Sequence, residues 1–185
     1  SWLYSAERMT ELPLGLIGVA IGTVILPSLS ARHAEQNMDK FRGMMDWAAR
    51  VIILVGVPAS IALFMLSTPI IQALFERGQF TFQDTQMTAL ALQCMSAGVI
   101  SFMLIKVFAP GFYAQQDTKT PVRVGLMAVA ANAILNVVFI GFFKLIDWHA
   151  EHMALALASS GSALVNAGIL YFYLHKRNIY RFGAH

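Results

Sequence analysis

Five stretches of the chain are apolar for about the length of a bilayer crossing, and most acids and bases gather in the short intervals between them. A helix needs about 20 largely apolar residues to cross the hydrocarbon core. That pattern leaves few ways to fold. In lipid every backbone N–H and C=O must be bonded within the protein, so only helices or a closed barrel can span, and the alternating apolar and polar residues of a barrel strand do not appear. The expected fold class is all-α: a polytopic transmembrane helix bundle with five spans, near 2–29, 47–66, 82–110, 121–143 and 153–175. A short interfacial helix is expected near 69–77.

Composition agrees. The chain is 57% hydrophobic and 12% charged, with mean hydropathy +0.62, whereas soluble domains are about a quarter charged. The net charge of +3 comes from bases scattered over separate short loops without a stripe, so no nucleic-acid partner is expected. One cysteine, Cys94, lies inside an apolar run and excludes an internal disulfide framework. The opening SWLYSAERMTELPLG lacks an initiating Met and the layout of a secretory leader. With an odd number of spans, this leads us to expect a piece of a larger polytopic protein.

Local punctuation sets expected boundaries. Ser67 or Thr68 before Pro69 reads as a helix cap, with Gly78 as the stop. Thr81 with Asp84 resembles a capping box opening the third span, and Thr120 before Pro121 reads as the cap of the fourth. Pro27 is expected to end the first span, and Pro110-Gly111 to break the third. Pro13 and Pro58 are candidate kinks. Assigning loops alternately places Arg32, Lys40, Arg42, Lys119, Arg123, Lys176, Arg177 and Arg181 on one side and Arg77 and Lys144 on the other. The basic side is expected to be cytoplasmic, and Arg50 at the foot of the second span agrees.

Glu7 and Arg8 are the first candidates for function, because they stand side by side at the start of an apolar span. A charge facing lipid costs several kcal/mol, so such residues face protein, a wet cavity or the interface. Adjacent helical positions point about 100° apart. Glu11, three residues beyond Arg8, is the expected partner that would hold the guanidinium while leaving donors for an anion. Gly18 and Gly22 have the spacing of a close helix contact. Lys106 lies near the cytoplasmic end of the third span, where its amine can reach headgroups. Asn132 and Asn136 share one face of the fourth span, and Ser159, Ser160, Ser162 and Asn166 make the fifth polar. Interhelical hydrogen bonds are the expected role, with a polar cavity wall as the functional alternative. His149 and His152 among Asp147 and Glu151 lack the order of a zinc hydrolase. No metal or other cofactor is expected, and no nucleophile elbow, phosphate loop or dinucleotide fingerprint is present. The chain is therefore not read as an enzyme.

Two stretches, WLYSAERMTELPLGLIGVAIGTVILPSLS and KVFAPGFYAQQDTKTPVRV, resemble the signatures of the MurJ/MviN family of bacterial lipid II flippases, and the likeness extends through FERGQFTFQDT. The resemblance implies a fold like that of the MATE transporters, two six-helix bundles around a central cavity. These spans would then be helices eight to twelve of fourteen, in the bacterial inner membrane. It implies alternating-access transport of an undecaprenyl-pyrophosphate-linked peptidoglycan precursor, lipid II, with membrane lipids and the remainder of the same chain as the other partners. Arg8 matches a cavity arginine held to contact the pyrophosphate. Glu7 stands where the family usually has aspartate. Glu11, Lys106, Asn132 and Asn136 are possible supporting residues. A MATE-like exporter of drugs or of another lipid-linked sugar, and a membrane scaffold without transport, are the rival readings.

Overall fold

The computed structural model describes residues 2–75, 82–145 and 151–180. Helix α1 (Trp2–Pro13) runs through a π turn (Leu14–Val19) into α2 (Ala20–Ala34). Then come α3 (Met38–Met65), α4 (Ser67–Phe75), α5 (Phe82–Ser96), α6 (Val99–Tyr113), α7 (Lys119–Leu145) and α8 (Glu151–Lys176). Among the described residues there is no strand. Four helices are long and apolar enough to cross a membrane, and α5 with α6 makes a fifth when that bent pair is taken as one span. Large apolar side chains such as Leu16, Leu54 and Val137 stand outside the bundle, the placement a lipid-facing surface requires.

The π turn solves a phase problem. Ala6 and Thr10 on α1, and Ile25 and Leu29 on α2, are all buried against the bundle. Nineteen residues separate Ala6 from Ile25, and Thr10 from Leu29. An unbroken α-helix would complete five turns over that distance and overshoot by about 100°. A π turn takes up about one extra residue, so both halves present their small or apolar side chains to the same neighbours. Pro13 precedes it and has no N–H for the Met9 carbonyl, which weakens the α ladder at that point.

Below the turn, α2 closes on α6. A Cβ placed on Gly18 would stand 3.5 Å from Lys106 Cγ, and one on Gly22 would stand 3.4 Å from the Lys106 carbonyl oxygen. The two glycines therefore form a shallow seat for one turn of α6.

The third span is broken, and not where Pro110-Gly111 led us to expect. Helix α6 passes through Pro110 to Tyr113, and the break lies at Gly98, where α5 and α6 meet at 41°. There the Gly98 N–H bonds the Met95 carbonyl, leaving the Cys94 carbonyl without its helical donor. Ser160 on α8 donates its hydroxyl to Cys94 O at 2.8 Å. That hydroxyl can reach only because Gly98 lacks a side chain: a Cβ there would lie 2.9 Å from Ser160 Cα. Pro27 likewise does not end a helix, since α2 continues to Ala34. Its missing N–H falls beside Ser28 and Thr23, whose hydroxyls bond carbonyls of the same turns.

Two other expected caps differ. Ser67 does not cap α4 from outside but begins it, donating to the Phe64 carbonyl and accepting from Gln93 Nε2. Thr120 does not cap α7, because its own N–H and hydroxyl both donate to Asp117. Gly78 and Thr81 lie outside the described residues.

Two packed tiers result. The larger joins α2, α3, α6 and α8 around Phe41, Met45, Ile52, Met103 and Phe112. The smaller joins α1, α4, α5 and α8 around Ala6, Ile71, Leu92 and Ala156. Helices α2, α6 and α8 all end with a residue in the left-handed region, Gln36, Gln116 and Asn178. In each case the next N–H reaches back five residues, to the carbonyls of Arg32, Phe112 and Leu174, the Schellman closure that glycine more often provides.

Gly98→Ala is expected to destabilise the bundle by about 1–3 kcal/mol through overpacking against Ser160, seen as a lower temperature of aggregation for the full-length parent in detergent; unchanged stability would show that the α5–α8 contact is looser than described. Deleting Leu16, whose side chain is exposed, is expected to remove the extra residue of the π turn and rotate one half of the helix by about 100°. Labelling of single cysteines at positions 4, 8 and 11, at 6 and 10, and at 25 reads the outcome, because the first two sets should exchange accessibility or the cysteine at position 25 should become labelled in their stead.

Candidate functional site

Tyr4, Glu7, Arg8 and Glu11 recur at the three- and four-residue spacing of one helix face, and all four are exposed on α1. The opposite face is buried through Ala6 and Thr10, with the Thr10 hydroxyl returned to the Ala6 carbonyl at 3.0 Å. The burial of small residues thus dictates that the charged stripe points away from the bundle. Arg8 donates from Nε at 3.0 Å and from Nη2 at 2.6 Å to the Tyr4 hydroxyl oxygen. Its guanidinium carbon lies 5.2 Å from the centre of the Tyr4 ring, within cation–π range. The expected pairing with Glu11 does not form: among the described residues neither Glu11 nor Glu7 makes an ion pair with Arg8. A tyrosine one turn earlier holds the guanidinium instead, and its four-residue spacing was the sequence signal for it.

The other candidates are placed separately. Lys106 is exposed on α6, its stem against Gly18 and its backbone against Gly22, so it packs on the second half of the first span. Asn132 donates to Ser162 Oγ at 3.2 Å across α7 and α8, and Asn136 donates to Asn132 Oδ1 at 2.8 Å. The first bond is interhelical, and the second lies within α7. Asn136 Oδ1 is buried without a partner among the described residues. Helix α7 packs chiefly on α8 and α1 chiefly on α5, so the asparagines and Arg8 are not brought together. Asp147 and His149 lie outside the described residues, as do the side chains of Glu151 and His152.

A second polar cluster, missed in the sequence, closes the basic end. Asp46, only 7% exposed, accepts from Arg50 Nε and from the buried Tyr180 hydroxyl at 3.2 Å. Burial, reinforced by the Asp46 charge, pushes the Tyr180 phenol well above its ordinary value. Arg42 donates to the Asn178 carbonyl at 2.7 Å. Asp117 accepts from the Thr120 N–H and hydroxyl and from Arg177 Nη1 at 2.6 Å. The hydrogen bond from the Thr120 hydroxyl, aided by Arg177, holds the Asp117 carboxyl down at about 2. Asp46 and Arg50 could have been paired from their spacing; Tyr180, 134 residues from Asp46, carries no local signal. These contacts join the loops assigned to the basic side.

A bundle of lipid-length helices with a tethered arginine on an outward face is a polytopic membrane protein. Residues 1–184 match the family model described as "Lipid II flippase MurJ". A probable lipid II flippase MurJ of Vibrio cholerae is 45% identical over 97% of this chain and 33% of its own length, and one of Haemophilus influenzae is 44% identical over 98% and 35%. A solved structure titled "Lipid II flippase MurJ, inward closed conformation" superposes with a TM-score of 0.81 at 26% identity, over 98% of this chain and 36% of that one. The chain belongs to the MurJ family, and it spans about one third of the length of these relatives.

Because its folded value lies below the ordinary 3.8, Asp117 stabilises the protein fully above about pH 4, and that contribution is lost as pH falls towards about 2. Asp117→Asn is expected to lower stability by about 1 kcal/mol, solvent screening included. Thermal inactivation of the full-length parent should show a constant gap between pH 5 and 8 that narrows only below pH 4; a gap that closes nearer neutrality would assign the effect to another group.

Proposed function

We propose that this chain forms part of the membrane domain of a lipid II flippase of the bacterial inner membrane, and that Arg8 meets the pyrophosphate of the substrate. Family membership supports the activity, and one observation supports the residue: Arg8 stands outside the bundle at the start of a long apolar span, held from one side by Tyr4, and among the described residues nothing else bonds the end of its fork. A headgroup carrying two phosphates cannot enter hydrocarbon without a penalty far above thermal energy. A wet cavity with a fixed cation lowers that penalty, while the polyprenyl tail stays in lipid. Arginine suits the task because it remains charged at any physiological pH and matches phosphate oxygens two at a time.

Glu7 and Glu11 flank Arg8 on the same face and keep its field local. They leave the anion to be recognised by directed hydrogen bonds more than by net charge. Transport then requires the cavity to open to each side in turn, each state favoured by the contacts the headgroup makes in it. The Leu14–Val19 π turn divides the Arg8-bearing half from the half seated on α6. Lys106, at the level of Gly18 and Gly22, lies about three to four turns further along and suits contact with headgroups of the cytoplasmic leaflet. Asn132 and Asn136 support the site only by holding α7 to α8.

The test is complementation of a bacterium depleted of its own flippase by the full-length parent. Arg8→Ala is expected to abolish growth at normal membrane abundance, with lipid II accumulating in the inner leaflet, and Arg8→Lys to restore it only in part, since an ammonium lacks the fork. Normal growth with Arg8→Ala would return Arg8 to an interfacial role.

A further inference from the structure

Tyr4 is unusual in how completely it occupies one edge of Arg8. Two guanidinium N–H groups converge on its single oxygen, at 3.0 and 2.6 Å, and the ring lies under the cation. The edge engaged is the Nε and Nη2 side; of the five N–H groups of arginine, the three left are both on Nη1 and one on Nη2. Those are the end-on donors, spaced to take two oxygens of one phosphate. The Tyr4 oxygen accepts both bonds from Arg8 with its lone pairs, which leaves its own O–H as a donor on the same exposed face.

Resting on the reading of Arg8 as the headgroup contact, we propose that Tyr4 is a positioning residue that presents the end of the Arg8 fork to a diphosphate and donates its own hydroxyl proton to the second phosphate. An arginine without such a holder samples many rotamers and gives up that freedom on binding. Tyr4, fixed one turn earlier on the same helix, removes much of that loss beforehand. The flanking Glu7 and Glu11 make the arrangement more dependent on geometry, because the stripe as a whole carries more negative than positive charge. A monophosphate can use the fork alone. A diphosphate also uses the hydroxyl, so Tyr4 sets selectivity for two phosphates over one.

Tyr4→Phe keeps the ring under the cation and removes only the oxygen. The full-length parent in lipid nanodiscs is titrated with undecaprenyl pyrophosphate and with undecaprenyl monophosphate, as wild type, Tyr4→Phe, Arg8→Ala and the double variant. Expected are a roughly tenfold weaker pyrophosphate affinity for Tyr4→Phe, a clearly smaller loss for the monophosphate, which feels only the looser fork, and a double variant weaker than Arg8→Ala by less than the Tyr4→Phe loss, the non-additivity of two residues acting as one unit. Wild-type pyrophosphate affinity in Tyr4→Phe, with Arg8→Ala weakened, would overturn the role of Tyr4 and leave that of Arg8 standing. Additive losses, or equal losses for both lipids, would also overturn it, since Tyr4 would then act apart from the fork. Wild-type affinity in Arg8→Ala would remove the reading on which the proposal rests.

Discussion

Hydrocarbon offers no hydrogen-bond partner, so each backbone group in a membrane span must find one within the protein. Every irregularity in this bundle answers to that constraint. At Gly98 the helix breaks, and the carbonyl released at Cys94 receives the Ser160 hydroxyl from α8. At Pro13 the ladder loses a donor, and the π turn that follows rearranges the bonding without leaving the helix. Serine and threonine hydroxyls along α2 turn back onto carbonyls of their own helix. The irregular points are consequently places where two helices are tied or re-phased, and the bends come with their own support.

Charge obeys the same rule with larger penalties. Arg50 is paired with Asp46, and Arg177 with Asp117, both at the end where the chain carries its basic loops. Arg8 lies at the opposite end of its span and makes no ion pair among the described residues. Its neutral partner, Tyr4, takes up hydrogen-bonding capacity without cancelling charge. A carboxylate in that place would have neutralised the cation and removed its attraction for a phosphate; a phenol holds the side chain still and leaves the field intact.

The apolar runs were readable because their length and lack of charge follow directly from bilayer thickness, and the glycine pair at positions 18 and 22 announced a close contact by spacing alone. The phase of the first span was not readable. A one-residue excess between Ala6 and Ile25 shows only once the buried faces are known, and the π turn was invisible in LGLIGV. Prolines misled for a related reason: at Pro27 and Pro110 the helix continues through the missing donor, whereas the real break fell at a glycine chosen for clearance against Ser160. At the site, Arg8 and Glu7 drew notice by their cost in lipid. Tyr4 did not, since an aromatic near a membrane interface is unremarkable without the geometry. Tyr180 joined Asp46 across most of the chain, a separation at which sequence carries no pairing signal.

The two ends of the bundle differ in how they are held, and the difference bears on motion. At the basic end, contacts between residues far apart in sequence join α3, the α6–α7 turn and the segment after α8, with Tyr180 buried among Phe108 and Tyr171. Opening that end would require several buried or charge-assisted bonds to break together. At the other end α1 is held by small residues on one face and presents Tyr4, Glu7, Arg8 and Glu11 on the other, so fewer interactions resist its displacement. Local opening follows the regions with the fewest buried contacts. A helix locked at its basic half through Gly18, Gly22 and Lys106, and joined by a π turn to a half that carries the arginine, can therefore move that arginine while the closed end stays packed.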